Sequence, residues 1–240
     1  MIGIQFALEA EASAVLAALA EPQIEMHAGR PFYEGRLAGR DVIVAISGIG
    51  KVAAATAAAF LVERVEAAIL VGTSGGLGAG VDPGHVVVAT SLIQHDLDPR
   101  PLFPRYTQPD LRMARFTPDP VVTQAVGAAA DQVVTDGLPA NDLGLGAPER
   151  HDGLVASGDA FVNSWGSSRR LRQELPDVLA CDMESAALAQ VCVAAGLPFG
   201  IVRTISDRAN GQAMVDFAQF LTLAAPLHLH LVTGVLGRLG

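Results

Sequence analysis

The sequence has few of the residues that mark secreted, membrane-spanning or nucleic-acid-binding proteins. Its two cysteines, Cys181 and Cys192, are too far apart for a CxxC motif, which predicts buried thiols in a reducing compartment. Lys and Arg number 16 against 25 Asp and Glu, and the net charge of −9 argues against nucleic acid or an anionic membrane as a partner. No unbroken apolar run approaches the roughly 18 residues of a membrane span.

The chain begins MIGIQFALEAEA, which has no basic segment before its apolar residues and therefore does not resemble a signal peptide. We expect a cytoplasmic protein. Half of the 240 residues are hydrophobic, enough to bury a large core, and we expect one domain spanning residues 1–240.

Short apolar runs alternate with longer segments of helical periodicity along most of the chain. Strands are predicted at Ile2–Leu8, in a meander over residues 23–47, and at Ala67–Thr73, His85–Asp96 and Phe199–Ile205. Helices are predicted at Glu9–Glu21, Val52–Val65 and Asp119–Val134, after residue 182, and over the last residues to Leu239. This order predicts an α/β fold with a mixed sheet.

The segment Ala180–Asp207 carries two carboxylates toward one edge of that sheet. Glu184 is predicted in the first turn of an Ala-rich helix that Gly196 ends, and Asp207 just beyond the following buried strand. Ligands of open α/β sheets bind near the carboxyl ends of strands. Glu11 also follows a strand, in a first helical turn, although an acid there commonly serves only to complement the helix dipole.

Two glycine motifs match known signatures only in part. Gly48-x-Gly50-x-x-Ala53 fits a loose dinucleotide fingerprint, but the next strand ends without the acid that would bind the ribose. Residues 72–76, GTSGG, match the GxSxG of a nucleophile elbow, yet a glycine-rich loop and not a helix is expected after the serine. The six histidines show no metal-ligand spacing, and we expect neither a metal nor a cofactor.

Several motifs together resemble the 5′-methylthioadenosine/S-adenosylhomocysteine nucleosidases of the nucleoside phosphorylase superfamily. They are IGIQFALEAEA, SGIGKVAAA, GTSGG, SGDAF, DMES and VRTISD, in the family's order and over nearly the whole chain. The resemblance implies a single α/β domain with a twisted mixed sheet flanked by helices, usually a homodimer. It also implies hydrolysis of an N-glycosidic bond to adenine, a step of methionine salvage.

The resemblance also assigns roles to individual residues. Asp207 would protonate adenine N7 with Ser206 orienting it, Glu11 would activate water near Thr73 and Arg203, and Glu184 would hold the ribose hydroxyls. Four further residues would contact substrate: Met183 the sugar, Phe161 and the Val162 backbone the adenine, and Phe217 the 5′-substituent. Gly75 is expected to bind substrate, and the segment with Phe103, Pro104 and Tyr106 would close the partner subunit's pocket. Considered without the resemblance, Phe161 is more typical of a core residue.

Two alternatives stay open at this point. One is a related nucleosidase or purine nucleoside phosphorylase, and the other is a non-catalytic nucleoside-binding protein. Hexameric phosphorylases carry a phosphate-binding arginine where this chain has Leu70, which favours water as the nucleophile. The segment HDLDPRPLFPRY differs from well-known family members, so specificity for the 5′-substituent is open.

Overall fold

Ten strands and six helices are formed by the residues that the computed structural model describes, 1–140 and 142–239, with the side chain of Val215 left aside. The strands are β1 Ile2–Phe6, β2 Ala20–His27, β3 Arg30–Leu37, β4 Arg40–Ile46, β5 Ala67–Gly76, β6 Val86–Gln94, β7 Arg115–Phe116, β8 Arg150–Ser157, β9 Val178–Asp182 and β10 Phe199–Asp207. The helices are α1 Glu9–Ala18, α2 Lys51–Leu61, α3 Pro120–Asp136, α4 Trp165–Glu174, α5 Ser185–Ala195 and α6 Ala213–Leu236.

The strands form one mixed sheet that closes on itself at one end. Strands β1, β4, β5 and β10 run parallel, and β2 and β3 extend the sheet beyond β4 as the predicted antiparallel meander. Strand β5 also pairs antiparallel with β9, and β10 pairs antiparallel with β6. Because β6, β8 and β9 are themselves joined in parallel, these five strands make a closed ring.

Helices cover both faces of the sheet, which confirms the predicted α/β class. Helices α1, α3 and α6 pack together over one face, and α2 and α5 pack together over the other. The larger apolar cluster lies under the first group and includes Val126, Leu231 and Val235, all fully buried. The second lies between α5 and strands β5, β6 and β10.

The glycine-rich segment after Ser74 forms the predicted loop only from Leu77 onward, because Gly75 and Gly76 still belong to strand β5. Gly75 and Gly76 pair with Cys181 and Ala180 of β9 and continue β5 to its end. A Cβ on Gly76 would lie 2.7 Å from the Val81 carbonyl oxygen, closer than side chains approach. Glycine is therefore needed for close backbone approach at the point where the ring closes.

Several element ends also differ from the prediction. Helix α1 ends at Ala18 and not Glu21, because β2 already begins at Ala20 and pairs with β3. Helix α2 ends at Leu61 and not Val65. Gly196 ends α5 with φ 66°, the left-handed cap that was predicted.

Helix α6 is long and apolar enough, over Asp216–Leu236, to cross a membrane by length and composition alone. However, 56% of that segment is buried inside the protein. Phe220 and Leu231 on α6 belong to the core beneath the sheet. A helix that is apolar on most sides is expected in such a core position.

Candidate active site

One cavity of about 260 Å³ opens where the carboxyl ends of β1, β5, β9 and β10 meet. Its lining is largely apolar, with four carboxylates, from Glu11, Asp182, Glu184 and Asp207. Of the predicted site residues, it is lined by Glu11, Thr73, Gly75, Phe161, Val162, Met183, Glu184, Ser206, Asp207 and Phe217. The three predicted catalytic carboxylates therefore share one cavity, although they lie up to 196 positions apart in the chain, from Glu11 to Asp207.

Glu11 is held rigidly by its neighbours. It lies in the first turn of α1, is 2% exposed, and its Oε1 accepts hydrogen bonds from the backbone N–H (2.8 Å) and the hydroxyl (2.7 Å) of Thr73. Its Oε2 accepts from the Leu8 N–H at 3.1 Å. Three donors on a buried carboxylate fix its orientation toward the cavity.

Glu184 occupies the N-cap position of α5, because the helix begins at Ser185. The prediction placed it one residue further on, in the first turn. Its Oε1 accepts from the Gly50 N–H at 2.9 Å, and its Oε2 lies 3.4 Å from Nη2 of Arg203. Burial raises the pKa of Glu184 to about 7, while Arg203 opposes that shift and the nearby Asp182 adds to it. The ion pair is too long to offset desolvation, so the carboxyl can change protonation near neutral pH.

Asp207 is the last residue of β10 and is 2% exposed. Its Oδ2 accepts from the Ser206 hydroxyl at 2.8 Å, and its Oδ1 accepts from the Ala209 N–H at 2.7 Å. Burial raises the pKa of Asp207, against the lowering effect of these two hydrogen bonds. A buried, oriented carboxyl with a raised pKa has the properties of a general acid.

Aromatic and apolar side chains form the rest of the wall. The rings of Phe161 and Phe217 lie edge to face with centroids 6.4 Å apart, so the loop after β8 and the start of α6 meet across the cavity. Phe161 is 42% exposed, so it is not the core residue that its type alone favours. Met183, next to Glu184, also lines the cavity.

Two predicted site residues do not line the cavity. Arg203 is 1% exposed and lies behind the wall, where its Nε is 2.7 Å from Asp182 Oδ2 and its Nη1 donates to the Thr73 carbonyl at 3.2 Å. Phe103 lies outside the cavity of its own chain, in the irregular segment before β7. Phe103 is expected to close the pocket of a partner subunit, so its role in binding substrate stays a prediction.

Asp182 and His228 are supporting residues that sequence reasoning missed. Asp182 accepts hydrogen bonds from both the hydroxyl and the N–H of Ser185, from the Ser157 hydroxyl at 2.5 Å and from the Glu184 N–H at 3.2 Å. The sequence signal for Asp182 is its position as the first residue of the DMES motif. His228 is fully buried in α6 and connects the Thr204 hydroxyl (2.9 Å) to the Glu11 carbonyl (3.1 Å), for which no sequence signal exists.

The loop that carries Phe161 is fastened to the start of α2. The carboxylate of Asp159 accepts from the Lys51 N–H at 2.7 Å, and the Asp159 N–H donates to Asp96 at 2.9 Å. Lys51 Nζ lies 2.6 Å from Asp96 Oδ1 and donates to Gln94 at 3.1 Å. The GIGK motif, which lacks the acid expected of a dinucleotide site, therefore anchors two walls of the cavity through Gly50 and Lys51.

Two histidines whose spacing in the sequence indicates no metal-ligand grouping lie side by side in the structure. The pairing of β6 with β8 brings His85 and His151 together, and Glu149 lies beside them. Neither histidine is close to the other in the sequence, which is why spacing could not reveal the group. None of the three residues lines the cavity.

The fold and the carboxylate-lined cavity define a class of protein. A family model, that of the phosphorylase superfamily, matches residues 1–237. The chain is also 34% identical over 225 residues to the 5′-methylthioadenosine/S-adenosylhomocysteine nucleosidase of Shewanella sp. (strain MR-7), covering 93% of this chain and 90% of that protein.

Solved structures give the same result. The Neisseria meningitidis nucleosidase of that name, in complex with methylthio-immucillin-A, has a TM-score of 0.89 and 32% identity, covering 99% of each chain. The Colwellia psychrerythraea 34H nucleosidase, in complex with adenine, has the same TM-score and identity, covering 99% of this chain and 95% of that one. The chain therefore belongs to the phosphorylase superfamily and, within it, to the 5′-methylthioadenosine/S-adenosylhomocysteine nucleosidase family.

Proposed function

We propose that this chain hydrolyses the N-glycosidic bond of 5′-methylthioadenosine and S-adenosylhomocysteine, releasing adenine and a 5-thio-substituted ribose. The observation that carries this proposal is that one largely apolar cavity is lined by Glu11, Glu184 and Asp207, all three of which are buried. The names of the similar proteins give the substrates, and complexes of the relatives with adenine and with a nucleoside analogue support a nucleoside ligand.

Asp207 acts as the general acid in this proposal. Adenine is a poor leaving group as an anion, so a proton delivered to N7 as the bond breaks lowers the barrier. Burial holds the proton on Asp207 to a higher pH than in water. The Ser206 hydroxyl and the Ala209 N–H fix both oxygens, so the acid enters the reaction already oriented.

Glu11 positions and activates the attacking water. Its Oε1 is shared with the hydroxyl and the N–H of Thr73, which leaves the carboxylate facing the cavity in one orientation. Arg203 supports this site from behind the cavity wall by donating to the Thr73 carbonyl. Its role is therefore proposed as positioning.

Glu184 holds the ribose hydroxyls, and Met183 packs on the sugar. As the bond to adenine breaks, the sugar gains oxocarbenium character, and nearby carboxylates stabilise that positive charge. With a pKa of about 7, Glu184 is available either as an acceptor of the hydroxyl protons or, when protonated, as a donor. Phe161 and the Val162 backbone take the adenine, and Phe217 borders the 5′-substituent.

Water is favoured over phosphate as the nucleophile by the charge of the cavity. Its lining includes four acidic side chains and, among the described residues that line it, no lysine, arginine or histidine. A phosphate dianion would be repelled there and would find no guanidinium or ammonium donor. Leu70, which stands where some phosphorylases have an arginine, is 1% exposed in the core.

We also infer a homodimer in which residues 103–106 border the partner's cavity. Arg105 and Tyr106 are anchored to their own chain through Glu174, at 2.9 and 3.2 Å, which leaves the preceding residues projecting. Leu102 is 84% exposed, and Ile49 at the cavity wall is 57% exposed, so both would gain from burial against a second copy. Sedimentation equilibrium that returned a monomer would contradict this inference.

The test of the reaction is adenine release from 5′-methylthioadenosine in phosphate-free buffer, with products separated by chromatography. Adenine with free methylthioribose is expected. A requirement for phosphate with a sugar 1-phosphate product would identify a phosphorylase, and no turnover in either buffer would favour another nucleoside or a binding protein.

The Asp207→Asn variant tests the assigned acid. Asparagine can still accept from the Ala209 N–H and meet the Ser206 hydroxyl, so the fold should be retained while the proton is lost. Turnover should fall by about 10²–10⁴-fold, the usual contribution of a positioned acid. The matched control is Asp41→Asn, at the amino end of β4 and paired with surface Arg36, which should leave turnover unchanged. Near-normal activity of Asp207→Asn would refute the assignment.

A further inference from the structure

A cluster of three potential metal ligands lies outside the cavity, where two parallel strands begin. His85 immediately precedes β6, and His151 is the second residue of β8, whose neighbour in β6 is Val87. Glu149 lies just before β8. One ligand atom from each of the three side chains lies within 4.8 Å of the other two. Strand pairing therefore holds two imidazoles and a carboxylate around one point.

The two imidazoles face each other with their ring nitrogens, not with their carbon edges. His85 Nδ1 lies 2.9 Å from His151 Nε2, and the ring planes are 17° from parallel. The Asp82 N–H also points at His85 Nδ1, at 3.4 Å. The single lone pair of an unprotonated Nδ1 can accept this long contact or bind a metal ion, so metal binding at Nδ1 would replace the contact with Asp82.

The three side chains differ in how freely they can move. His85 is 8% exposed, so its ring is held by the surrounding structure. Glu149 Oε2 is 4.0 Å from His151 Nε2, and its side chain is 67% exposed, free to move inward.

We propose that His85, Glu149 and His151 bind one divalent transition-metal ion of the Zn²⁺ class, with water completing the coordination. Two imidazoles and a carboxylate are an established ligand set for Zn²⁺, with bonds of about 2.0–2.2 Å. Tetrahedral geometry places ligand nitrogens roughly 3.3 Å apart, so the histidines must separate by only a few tenths of an ångström. Mg²⁺ and Ca²⁺ prefer oxygen ligands and should bind poorly.

Such an ion would connect strand beginnings to the strand that carries Asp207. The His85 carbonyl accepts from the Ile205 N–H at 2.9 Å, and the Gly84 N–H donates to the Ile205 carbonyl at 2.9 Å. Asp82, in the same turn, pairs with Arg208 at 2.8 Å. Metal binding should therefore stabilise the native state and raise the unfolding temperature. This inference does not depend on the proposed enzymatic reaction.

The experiment titrates tag-free, EDTA-treated full-length protein with ZnCl₂ by isothermal calorimetry and follows thermal unfolding with and without Zn²⁺. One ion per chain and a raised unfolding temperature are expected. Glu149→Gln and His151→Asn should each weaken Zn²⁺ binding by at least about tenfold. Even the loss of a residue that only hydrogen-bonds to a metal ligand lowers metal affinity by about that much.

Matched controls keep the test specific. Glu149 is at the surface, so Glu149→Gln should fold normally whatever the outcome. His27→Asn removes a surface histidine that also lies beside a glutamate, Glu25 at 3.0 Å, and should leave Zn²⁺ binding unchanged. The proposal is overturned if the wild type binds no Zn²⁺ at micromolar concentrations. It is equally overturned if binding survives both Glu149→Gln and His151→Asn, or if Mg²⁺ binds as tightly.

Discussion

Removing the positive charge of Arg203 should destabilise the protein far more than removing a surface arginine with a similar number of carboxylate partners. The guanidinium is 1% exposed and lies 2.7 Å from Asp182 and 3.4 Å from Glu184, both buried. In Arg203→Met a side chain of similar length carries no charge, so two buried carboxylates lose their cation. Breaking a buried pair in this way costs about 3–5 kcal/mol.

Arg64 provides the matched comparison. It too bridges two carboxylates, Glu25 at 3.0 Å and Glu34 at 2.7 Å, but its side chain and theirs are at least one-third exposed. Each exposed pair contributes roughly 0.2–1 kcal/mol, so Arg64→Met should cost below about 2 kcal/mol. Urea unfolding of the three proteins measures both differences, provided that the slopes agree. Equal costs at the two positions would refute the reasoning.

The cost of Arg203→Met should also depend on pH. Arg203 lowers the pKa of Glu184 against the raising effect of burial, so its loss moves that pKa above about 7. Stability falls with rising pH wherever the native state binds more protons than the unfolded state. The variant should therefore keep losing stability above about pH 7, where the wild type has finished doing so, and the difference between them should grow. A difference independent of pH would contradict this coupling.

Two further predictions concern the walls of the cavity. Lys51→Met removes the cation from Asp96, the residue that holds the loop of Asp159 and Phe161. The KM should therefore rise by about 2–13-fold, which is the equivalent of one net hydrogen bond. Lys51→Arg should retain most of the substrate affinity, and an unchanged KM in Lys51→Met would exclude the anchoring role. Glu184→Gln removes a carboxyl whose pKa is raised from 4.5 to about 7. Urea unfolding should show this variant gaining stability relative to wild type as pH rises between those values, and a flat difference would contradict the shift.

The fold class and the positions of the main carboxylates could be predicted from local patterns in the chain. Strand and helix periodicities are local, and Glu11 and Asp207 are placed at strand ends by the apolar runs that precede them. Once those runs form parallel neighbours, their carboxyl ends must meet at one edge. The motifs around these acids also carried the resemblance to the nucleosidase family, which the comparisons confirmed.

Features that depend on contacts between distant segments could not be predicted in this way. Gly75 and Gly76 have the local sequence of a loop, but they form strand because the closure of the sheet gives them pairing partners in β9. Arg203 is buried behind the cavity wall, so it positions other residues of the site and does not line the cavity itself. The residue type alone does not predict this. His85 and His151 meet only because β6 and β8 are adjacent. Pairing and burial arise from the whole chain packing at once, so no local pattern of residues records them.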